Sequence, residues 1–361
     1  MAFLNINRSS IAGNVQIVSD FCKKHGIELC VVTKFCCSEP DVVNLLYDLG
    51  IKRIADSNQE NFDRLSINTA ANLIKNVIKT RLSDILLIPS LAPHARPQRV
   101  FVSDETLLDA LSELPKDICP EVMLIMEIGD LRDGFYPQQI SSVCEKYKDL
   151  PIAGVSVNYA CLSGTMPYLE SIHTLSQVTS DIKTKTGERP VASIGGTVAF
   201  SFLTESSFNY DFQNDTCAWE LRCGEGIFFG FDSSSNKVLA EFKQDVFTFY
   251  GEILEIREKE YKKQDKVGCN AFGEYNTAYK NGKRNYMVLD FGILAARISS
   301  LRPLDNMVVI TGQTYDFTVL DITESEKTYN TGEFMGFTPS YGSVSHAMLN
   351  RYVKKHVVIE G

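Results

Sequence analysis

Residues 27–34 read IELCVVTK, a run of apolar and β-branched residues that ends in a lysine. This composition predicts a buried strand, because strands covered on both faces are nearly continuous in apolar residues. Further runs of this kind recur along the chain up to about residue 230, and helical patterns lie between several of them. The eight predicted strands are residues 27–34, 52–57, 84–90 (DILLIPS), 99–104, 122–130, 153–160, 191–196 and 219–227.

Segments with helical periodicity separate these strands, which is the signature of repeated βα units. The clearest are EPDVVNLLYDLG (39–50), DETLLDALSEL (104–114), PQQISSVCEKYKDL (137–150) and YLESIHTLSQVTSDIKTKTG (168–187). Eight parallel strands with eight connections predict an α/β fold of the TIM-barrel type, a (β/α)8 barrel. An open doubly wound sheet is the alternative.

After Gly230 the sequence changes to alternating strands with turn residues and little helical period. The segments VFTFYGEILEIRE, RNYMVLDFGI, NMVVITGQ, YDFTVLDIT and EFMGFTPSY predict a β domain. We therefore expect the barrel to cover residues 8–232 and the C-terminal β domain to cover residues 233–361. The N-terminal strand, residues 1–7, is expected to join the β domain.

Composition limits the class of ligand and the compartment. The formal charge of -9 argues against nucleic acid or an anionic membrane as the main partner, so we expect a small-molecule ligand. The N-terminus has no long apolar segment, and the ten cysteines include no CxxC pair. These features predict a soluble, cytoplasmic protein with buried free thiols.

Polar residues at strand ends mark the expected active site, because a barrel of this type carries its reactive groups at the C-terminal ends of its strands. These residues are Lys34, Asp56, Arg132, Asn158, Ser193 and Arg222. A lysine amine that loses hydration at the end of an apolar strand is more often neutral, as Schiff-base formation requires. The alternative is a lysine that simply leaves the barrel into water.

Two glycine-rich turns follow the seventh and eighth predicted strands, where barrels of this type often bind phosphate. They are SIGGT (193–197) and RCGEG (222–226). Glycine lets backbone N–H groups approach an anion, and a helix N-terminus adds partial positive charge. The alternative is a pair of tight turns that need glycine for backbone reasons alone.

The whole chain resembles the ornithine racemase group of the alanine-racemase-like, fold-type III pyridoxal-phosphate enzymes. The resemblance is carried, in order, by VVTKFCCSEP, IADSNQEN, MEIGDLRDGF, SVNYACLSG, SIGGT, LRCGEGIFFG, GCNAFGE, LDIT and TPSYGSVSHAM. It implies that Lys34 binds pyridoxal 5'-phosphate covalently and acts as one proton-transfer base. Arg132 would contact the cofactor hydroxyl or the substrate carboxylate, and Arg222 would face the pyridine nitrogen. The other implied cofactor-binding residues are Asn158, Ser193, Gly195, Gly196, Gly224, Glu225 and Tyr341.

One segment departs from the alanine racemases. Those enzymes carry a tyrosine in a segment like VGYADG as the second base, contributed across a dimer interface, whereas the comparable segment here reads VGCNAFGEY and places Cys269 there. Relatives that are decarboxylases use a cysteine on that side, so a thiol is chemically suitable. The alternatives are that Cys269 only packs, or that Asn270 or Tyr275 shares the role.

The resemblance implies an isomerase that interconverts the L and D forms of ornithine or a related free amino acid in a homodimer with composite active sites. A permanently charged Arg222 cannot give the ring nitrogen a proton, which suits reversible proton exchange. A decarboxylase or lyase, or a non-catalytic carrier of pyridoxal phosphate, is the alternative. The HxC pair of zinc-dependent relatives is absent, since Ala347 and Met348 follow His346, and we predict no metal site.

Overall fold

A computed structural model describes residues 1–262, 266–270, 272–275 and 280–358. The chain divides into two compact units. One comprises Ser10–Gln244, and the other comprises Met1–Ser9 together with Asp245–Gly361. No helix in the described ranges is both long and apolar enough to cross a membrane.

The first unit is built around a closed barrel of parallel strands. The first strand, β1 (Phe3–Asn7), belongs to the second unit. The elements that follow it as far as Gln244 are α1 (Arg8–His25), β2 (Ile27–Val32), α2 (Pro40–Asp48), β3 (Arg53–Asp56), α3 (Ile67–Ala71), β4 (Ile74–Val77), α4 (Leu82–Leu87), β5 (Arg99–Val102), α5 (Glu105–Ser112), β6 (Glu121–Ile125), α6 (Pro137–Lys146), β7 (Ile152–Asn158), α7 (Leu169–Ser180), β8 (Val191–Gly195), α8 (Thr197–Leu203), β9 (Ala218–Cys223), α9 (Glu225–Phe229), β10 (Phe231–Asp232) and β11 (Lys237–Val238).

Strands β2 to β9 pair in parallel with their neighbours, and β9 pairs with β2 to close the barrel. At that seam Cys30 lies opposite both Arg53 of β3 and Arg222 of β9. Apolar residues on both faces of the strands are buried, as a helix-covered parallel sheet requires. The predicted (β/α)8 barrel with a separate β domain is therefore confirmed.

The prediction of the third strand was wrong. Residues 84–90 do not form a strand, because Leu82–Leu87 form α4 and Ile88–Ser90 form a 3-10 turn. The Asp84 carboxylate accepts the backbone N–H of Arg81 and caps this helix, while Leu86 lies exposed on its surface.

The third barrel strand is β4, whose sequence is IKNV. It escapes a search for apolar runs because Lys75 and Asn76 are polar, yet both are fully buried. Lys75 Nζ donates to the Ala70 carbonyl at 2.8 Å, and Asn76 Nδ2 donates to the Ile54 carbonyl at 3.2 Å. These local acceptors make the burial of two polar side chains tolerable.

The barrel unit extends to Gln244, twelve residues beyond the boundary expected at residue 232. Buried Asn14 of α1 holds this extension. Its Nδ2 donates to the Ile227 and Lys243 carbonyls at 2.8 Å each, and its Oδ1 accepts the Lys243 N–H at 2.7 Å.

The second unit is a β domain. Its later elements are β12 (Phe247–Tyr261), β13 (Gly282–Leu289), β14 (Leu301–Pro303), β15 (Val309–Gln313), β16 (Thr318–Asp321), β17 (Phe334–Pro339), α10 (Tyr341–Leu349) and β18 (Lys354–Val358). The sheet order is β14-β17-β12-β13-β16-β15. Strand β1 adds to this sheet, pairing antiparallel with β12 and parallel with β18.

Candidate active site

Lys34 lies two residues after the last residue of β2, Val32, and begins a 3-10 turn at the C-terminal end of the barrel. Hydrogen bonds among three buried side chains, Thr33, Ser38 and Asp56, hold this turn in place. Thr33 Oγ1 and Ser38 Oγ are 2.9 Å apart, and Ser38 Oγ donates to Asp56 Oδ2 at 2.7 Å. Because Asp56 ends the neighbouring strand β3, the lysine backbone is anchored to two strands at once.

The amine of Lys34 lies in a cationic environment. Part of its side chain remains exposed, but surrounding protein atoms remove much of its hydration, and this is the main reason that the Lys34 pKa lies below its ordinary value. The charges of Arg132 and Arg222 lower the Lys34 pKa further, while Cys161 and Asp56 act in the opposite direction. The structure thus brings Lys34 together with both predicted arginines.

Arg222 lies inside the barrel and is almost fully buried. Its Nη2 donates to the Val157 carbonyl at 2.7 Å, and its guanidinium carbon lies 4.9 Å from the centre of the Phe101 ring. A Cβ atom on Gly195 would lie 2.5 Å from Arg222 Nη2 and 2.7 Å from Asn158 Oδ1. Glycine at this position therefore lets the guanidinium and the amide come together.

The two glycine-rich turns also contact each other. Helix α8 begins directly after Gly196, which has a φ of +113°, and α9 begins directly after Gly224. Thr197 Oγ1 accepts the N–H of Gly226 at 2.8 Å, which ties the first turns of both helices together. Two helix N-termini side by side form a surface suited to an anion.

The side chains of Ser193 and Glu225, which belong to these two turns, form hydrogen bonds away from the anion surface. The hydroxyl of Ser193 is buried within the barrel, where it contacts Arg222 and Glu220. The carboxylate of Glu225 accepts the backbone N–H and the hydroxyl of Ser233, at 3.2 and 3.0 Å. Glu225 can thus contribute its backbone N–H to a phosphate site but not its side chain in this arrangement.

Arg132 lies in a loop that follows β6 and is held by acidic residues. Its Nε donates to Asp133 Oδ1 at 2.6 Å. Glu127 Oε1 accepts the backbone N–H groups of Gly129 and Leu131, and Asp130 Oδ1 accepts the N–H of Leu162 at 3.0 Å. The loop that carries Arg132 is therefore fastened to the loop that follows β7.

Two residues near this site were not singled out by the sequence. Cys161 follows β7 and is close enough to affect the pKa of Lys34, and its thiol is exposed. Asp130 is 96% buried, and within the described ranges its Oδ2 has no hydrogen-bond partner. Both lie in the quoted motifs MEIGDLRDGF and SVNYACLSG, but no spacing rule distinguishes them from ordinary loop residues.

The remaining predicted residues belong to the β domain. Cys269 and Tyr275 are exposed, and Asn270 Oδ1 accepts the backbone N–H groups of Phe272 and Glu274. Asn270 and Tyr275 line a cleft of about 360 Å³ that also includes Arg297. Tyr341 is the first residue of α10, which Ser340 caps.

Comparison with known proteins gives relatives of one kind. No protein-family model matches the chain. The ornithine racemase of Acetoanaerobium sticklandii is 23% identical over 364 residues, covering 98% of this chain and 99% of that protein. The lysine racemase of Thermotoga maritima is 24% identical over 364 residues, covering 98% and 97%. The chain is thus similar to two amino-acid racemases over almost the whole of their length.

Solved structures agree on the fold of this chain. The alanine racemase of Acinetobacter baumannii superposes with a TM-score of 0.68 at 14% identity, covering 99% of each chain. The alanine racemase of Bartonella henselae, solved with covalently bound pyridoxal phosphate, has a TM-score of 0.68 at 12% identity and the same coverage. The expected resemblance to this group is thereby confirmed.

The residues at the barrel mouth fit pyridoxal phosphate. The cofactor needs a lysine amine, a positive charge near its ring and an anion site for its phosphate. Lys34 and Arg222 supply the first two, and the paired starts of α8 and α9 supply an anion site. A Cβ at Gly195 would disturb the guanidinium, so the cradle depends on the glycine that is present.

Proposed function

We propose that this chain is a pyridoxal-phosphate-dependent amino-acid racemase in which Lys34 holds the cofactor. The observation that carries the proposal is the position of Lys34 at the C-terminal end of β2, where the charges of Arg132 and Arg222 are near enough to lower its pKa. When bound, the cofactor withdraws electrons from the substrate Cα and so acidifies its proton. The full-length racemase relatives support the same reaction.

Each side chain has a separate task in this proposal. Lys34 attaches the cofactor and moves the Cα proton on one face, and its lowered pKa favours the neutral amine that accepts a proton. Arg132 binds carboxylate, while Arg222 supplies a fixed positive charge beside the ring. A thiol moves the proton on the opposite face, and Cys269 is the candidate that the resemblance implies. Cys161 is a second candidate, because it lies near Lys34 in the same unit.

We further propose that the substrate is ornithine or a related amino acid with a cationic side chain. Asp130 lines a narrow cavity together with Glu127, Asp133 and Arg132. The partner-free Oδ2 of Asp130 is an acceptor that an ammonium group would satisfy. The cavity is too tight for a water molecule in this conformation, so entry of the ammonium group requires the loop to move.

The composite homodimer belongs to the same proposal. Large apolar side chains are exposed in the loops after β6 and β7 at the C-terminal end of the barrel, including Leu131 (75%), Leu162 (67%) and Tyr136 (58%). Large apolar side chains that are exposed close together in this way favour burial against another protein surface. A second copy of the chain would cover them and bring Cys269 to the site. The ten cysteines, all free in the structure, fit a reducing compartment such as the cytoplasm.

The experiment that tests the proposed reaction is a chiral chromatographic screen. Purified protein with pyridoxal phosphate is incubated with ornithine and with each proteinogenic amino acid, and both enantiomers and released CO₂ are measured. We expect racemisation of ornithine or lysine without CO₂. Stoichiometric CO₂ release would instead indicate a decarboxylase, and tight cofactor binding without any turnover would indicate a carrier.

A further inference from the structure

We propose that Ser193 and Glu220 are positioning residues for Arg222: they fix the guanidinium through its Nε and leave Nη1 as the donor that faces a ligand. The identity of that ligand, pyridoxal phosphate, rests on the proposed function. The arrangement of the three side chains stands on the contacts within the barrel.

The first step concerns the donors of Arg222. Nε donates to Ser193 Oγ at 3.0 Å, and Nη2 donates to the Val157 carbonyl at 2.7 Å. Within the described ranges, Nη1 has no protein hydrogen-bond partner. Since the guanidinium is planar and rigid, two fixed nitrogens also fix the direction of the third.

The second step concerns the direction of the Ser193 hydrogen bonds. Ser193 Oγ is 2.7 Å from Glu220 Oε1, and a carboxylate can only accept, so the single hydroxyl proton must go to Glu220. The lone pairs of Oγ are then available for the N–H of Arg222. The result is a directed chain from Arg222 through Ser193 to Glu220, with all three side chains buried.

The third step concerns what holds Glu220. Its Oε2 receives Arg99 Nη1 at 3.3 Å and Arg53 Nη1 at 3.5 Å. Arg99 in turn contacts Glu121 at 2.7 Å. Glu220 is therefore anchored on the side away from Arg222 and supplies a compensating negative charge, which a buried guanidinium needs.

The pairing of the barrel strands explains why these residues meet. Glu220 and Arg222 are two positions apart on β9, so both side chains point to the same face of the strand. Ser193 on β8 lies directly opposite Glu220, and Gly195 lies opposite Arg222. The absence of a side chain at Gly195 leaves room for the guanidinium that Ser193 orients.

The test compares Ser193→Ala and Glu220→Gln with Glu121→Gln as the control. Glu121 contacts Arg99, at the end of this series of side-chain contacts that lies away from Arg222. Cofactor dissociation constants and absorption spectra are measured for each variant. We expect Ser193→Ala and Glu220→Gln to weaken cofactor binding about 10- to 100-fold, the range known for partners that orient metal ligands, and to shift the absorption band. Glu121→Gln should stay within about twofold of the wild type. Ser193→Thr, which keeps the hydroxyl, should restore most of the affinity.

A second readout does not depend on the cofactor. Phenylglyoxal labelling followed by peptide mapping should show Arg222 protected in the wild type and modified several-fold faster in Ser193→Ala. Unchanged spectra, affinity and labelling in folded Ser193→Ala and Glu220→Gln would overturn the proposal, as would an equal effect of Glu121→Gln. If the wild type binds no pyridoxal phosphate, the proposed function fails, while the labelling of Arg222 still decides whether Ser193 positions it.

Discussion

The charges around Lys34 predict how cofactor attachment depends on pH. The Lys34 pKa is lowered by burial first and by Arg132 and Arg222 second, so its neutral amine becomes abundant at lower pH than that of an ordinary lysine. Cofactor attachment should therefore rise with pH through a midpoint below the ordinary lysine value of about 10.4. Stopped-flow measurement of attachment against pH gives this midpoint.

Two variants should move that midpoint in opposite directions. Arg132→Gln removes a positive charge and should move it to higher pH, whereas Asp56→Asn removes a negative charge and should move it to lower pH. Lys116→Ala, at an exposed position, serves as the control. A shift of both midpoints in one direction would contradict the charge arrangement, and borohydride labelling of a lysine other than Lys34 would contradict the site itself.

The two candidate thiols can be distinguished by stereochemistry. Each base serves one face, so loss of the thiol base should slow proton exchange from one enantiomer by about 10²- to 10⁴-fold more than from the other. We expect this asymmetry in Cys269→Ser, with Cys161→Ser as the matched comparison. Deuterium wash-in from heavy water, followed from L and D substrate separately, measures it. Asymmetry in Cys161→Ser alone would transfer the role, and none in either variant would leave Asn270 or Tyr275.

At the scale of elements, the loop after β6 should determine substrate selectivity. Asp130→Asn keeps an oxygen for the N–H of Leu162 but removes the negative charge from the cavity. We expect the KM for ornithine to rise at least about tenfold, because a charge-assisted hydrogen bond is lost, while the cofactor spectrum stays unchanged. Asp117→Asn, at an exposed position outside the cavity, is the control. An unchanged ratio of ornithine to norvaline affinity in Asp130→Asn would remove Asp130 from substrate recognition.

Strand β4 carries a pH-dependent contribution to stability. Burial lowers the pKa of Lys75 to about 8, so the folded state prefers the neutral amine. Below pH 8 folding must bury the charge, and stability should rise as pH increases from about 8 towards 10.4. Lys75→Met should raise the unfolding midpoint at pH 7 by a few degrees and flatten this rise. Thermal unfolding by circular dichroism tests this, with Lys79→Met as an exposed control. A lower midpoint for Lys75→Met would show that its hydrogen bond to Ala70 outweighs desolvation.

The same strand shows the limit of prediction from sequence at this scale. Strands made of apolar runs, such as β2 and β6, are visible because burial on both faces leaves few polar residues. IKNV is not visible, because the acceptors that make Lys75 and Asn76 tolerable come from the fold. Ser193 illustrates the point for the site. Its place at the start of the glycine-rich turn SIGGT predicted a phosphate site, whereas the partner of its hydroxyl depends on the register of Ser193 with Glu220.

On the scale of the whole molecule, a complementation experiment tests the proposed composite homodimer. Lys34→Ala and Cys269→Ala chains should each be inactive alone. In a one-to-one mixture about half of the dimers are mixed, and each of these has one site with both residues, so the mixture should recover up to about a quarter of wild-type activity. Sedimentation confirms that mixed dimers form, and a mixture of two separately tagged wild-type chains is the control. Mixed dimers without activity would indicate that each site is built from one chain.

The pairing of β1 within the β domain bears on how the chain can be assembled and engineered. Phe3 pairs with Tyr250 of β12 and with Lys354 of β18, so residues on both sides of the whole barrel segment share one sheet. The barrel is thus an insertion in the connectivity of the β domain. Contacts of such long sequence separation form late, because closing long loops costs entropy before any contact is gained. During synthesis, β1 cannot pair with β12 and β18 until the barrel segment has left the ribosome. A bulky tag or a chaperone bound at Met1 would therefore affect the formation of the β domain.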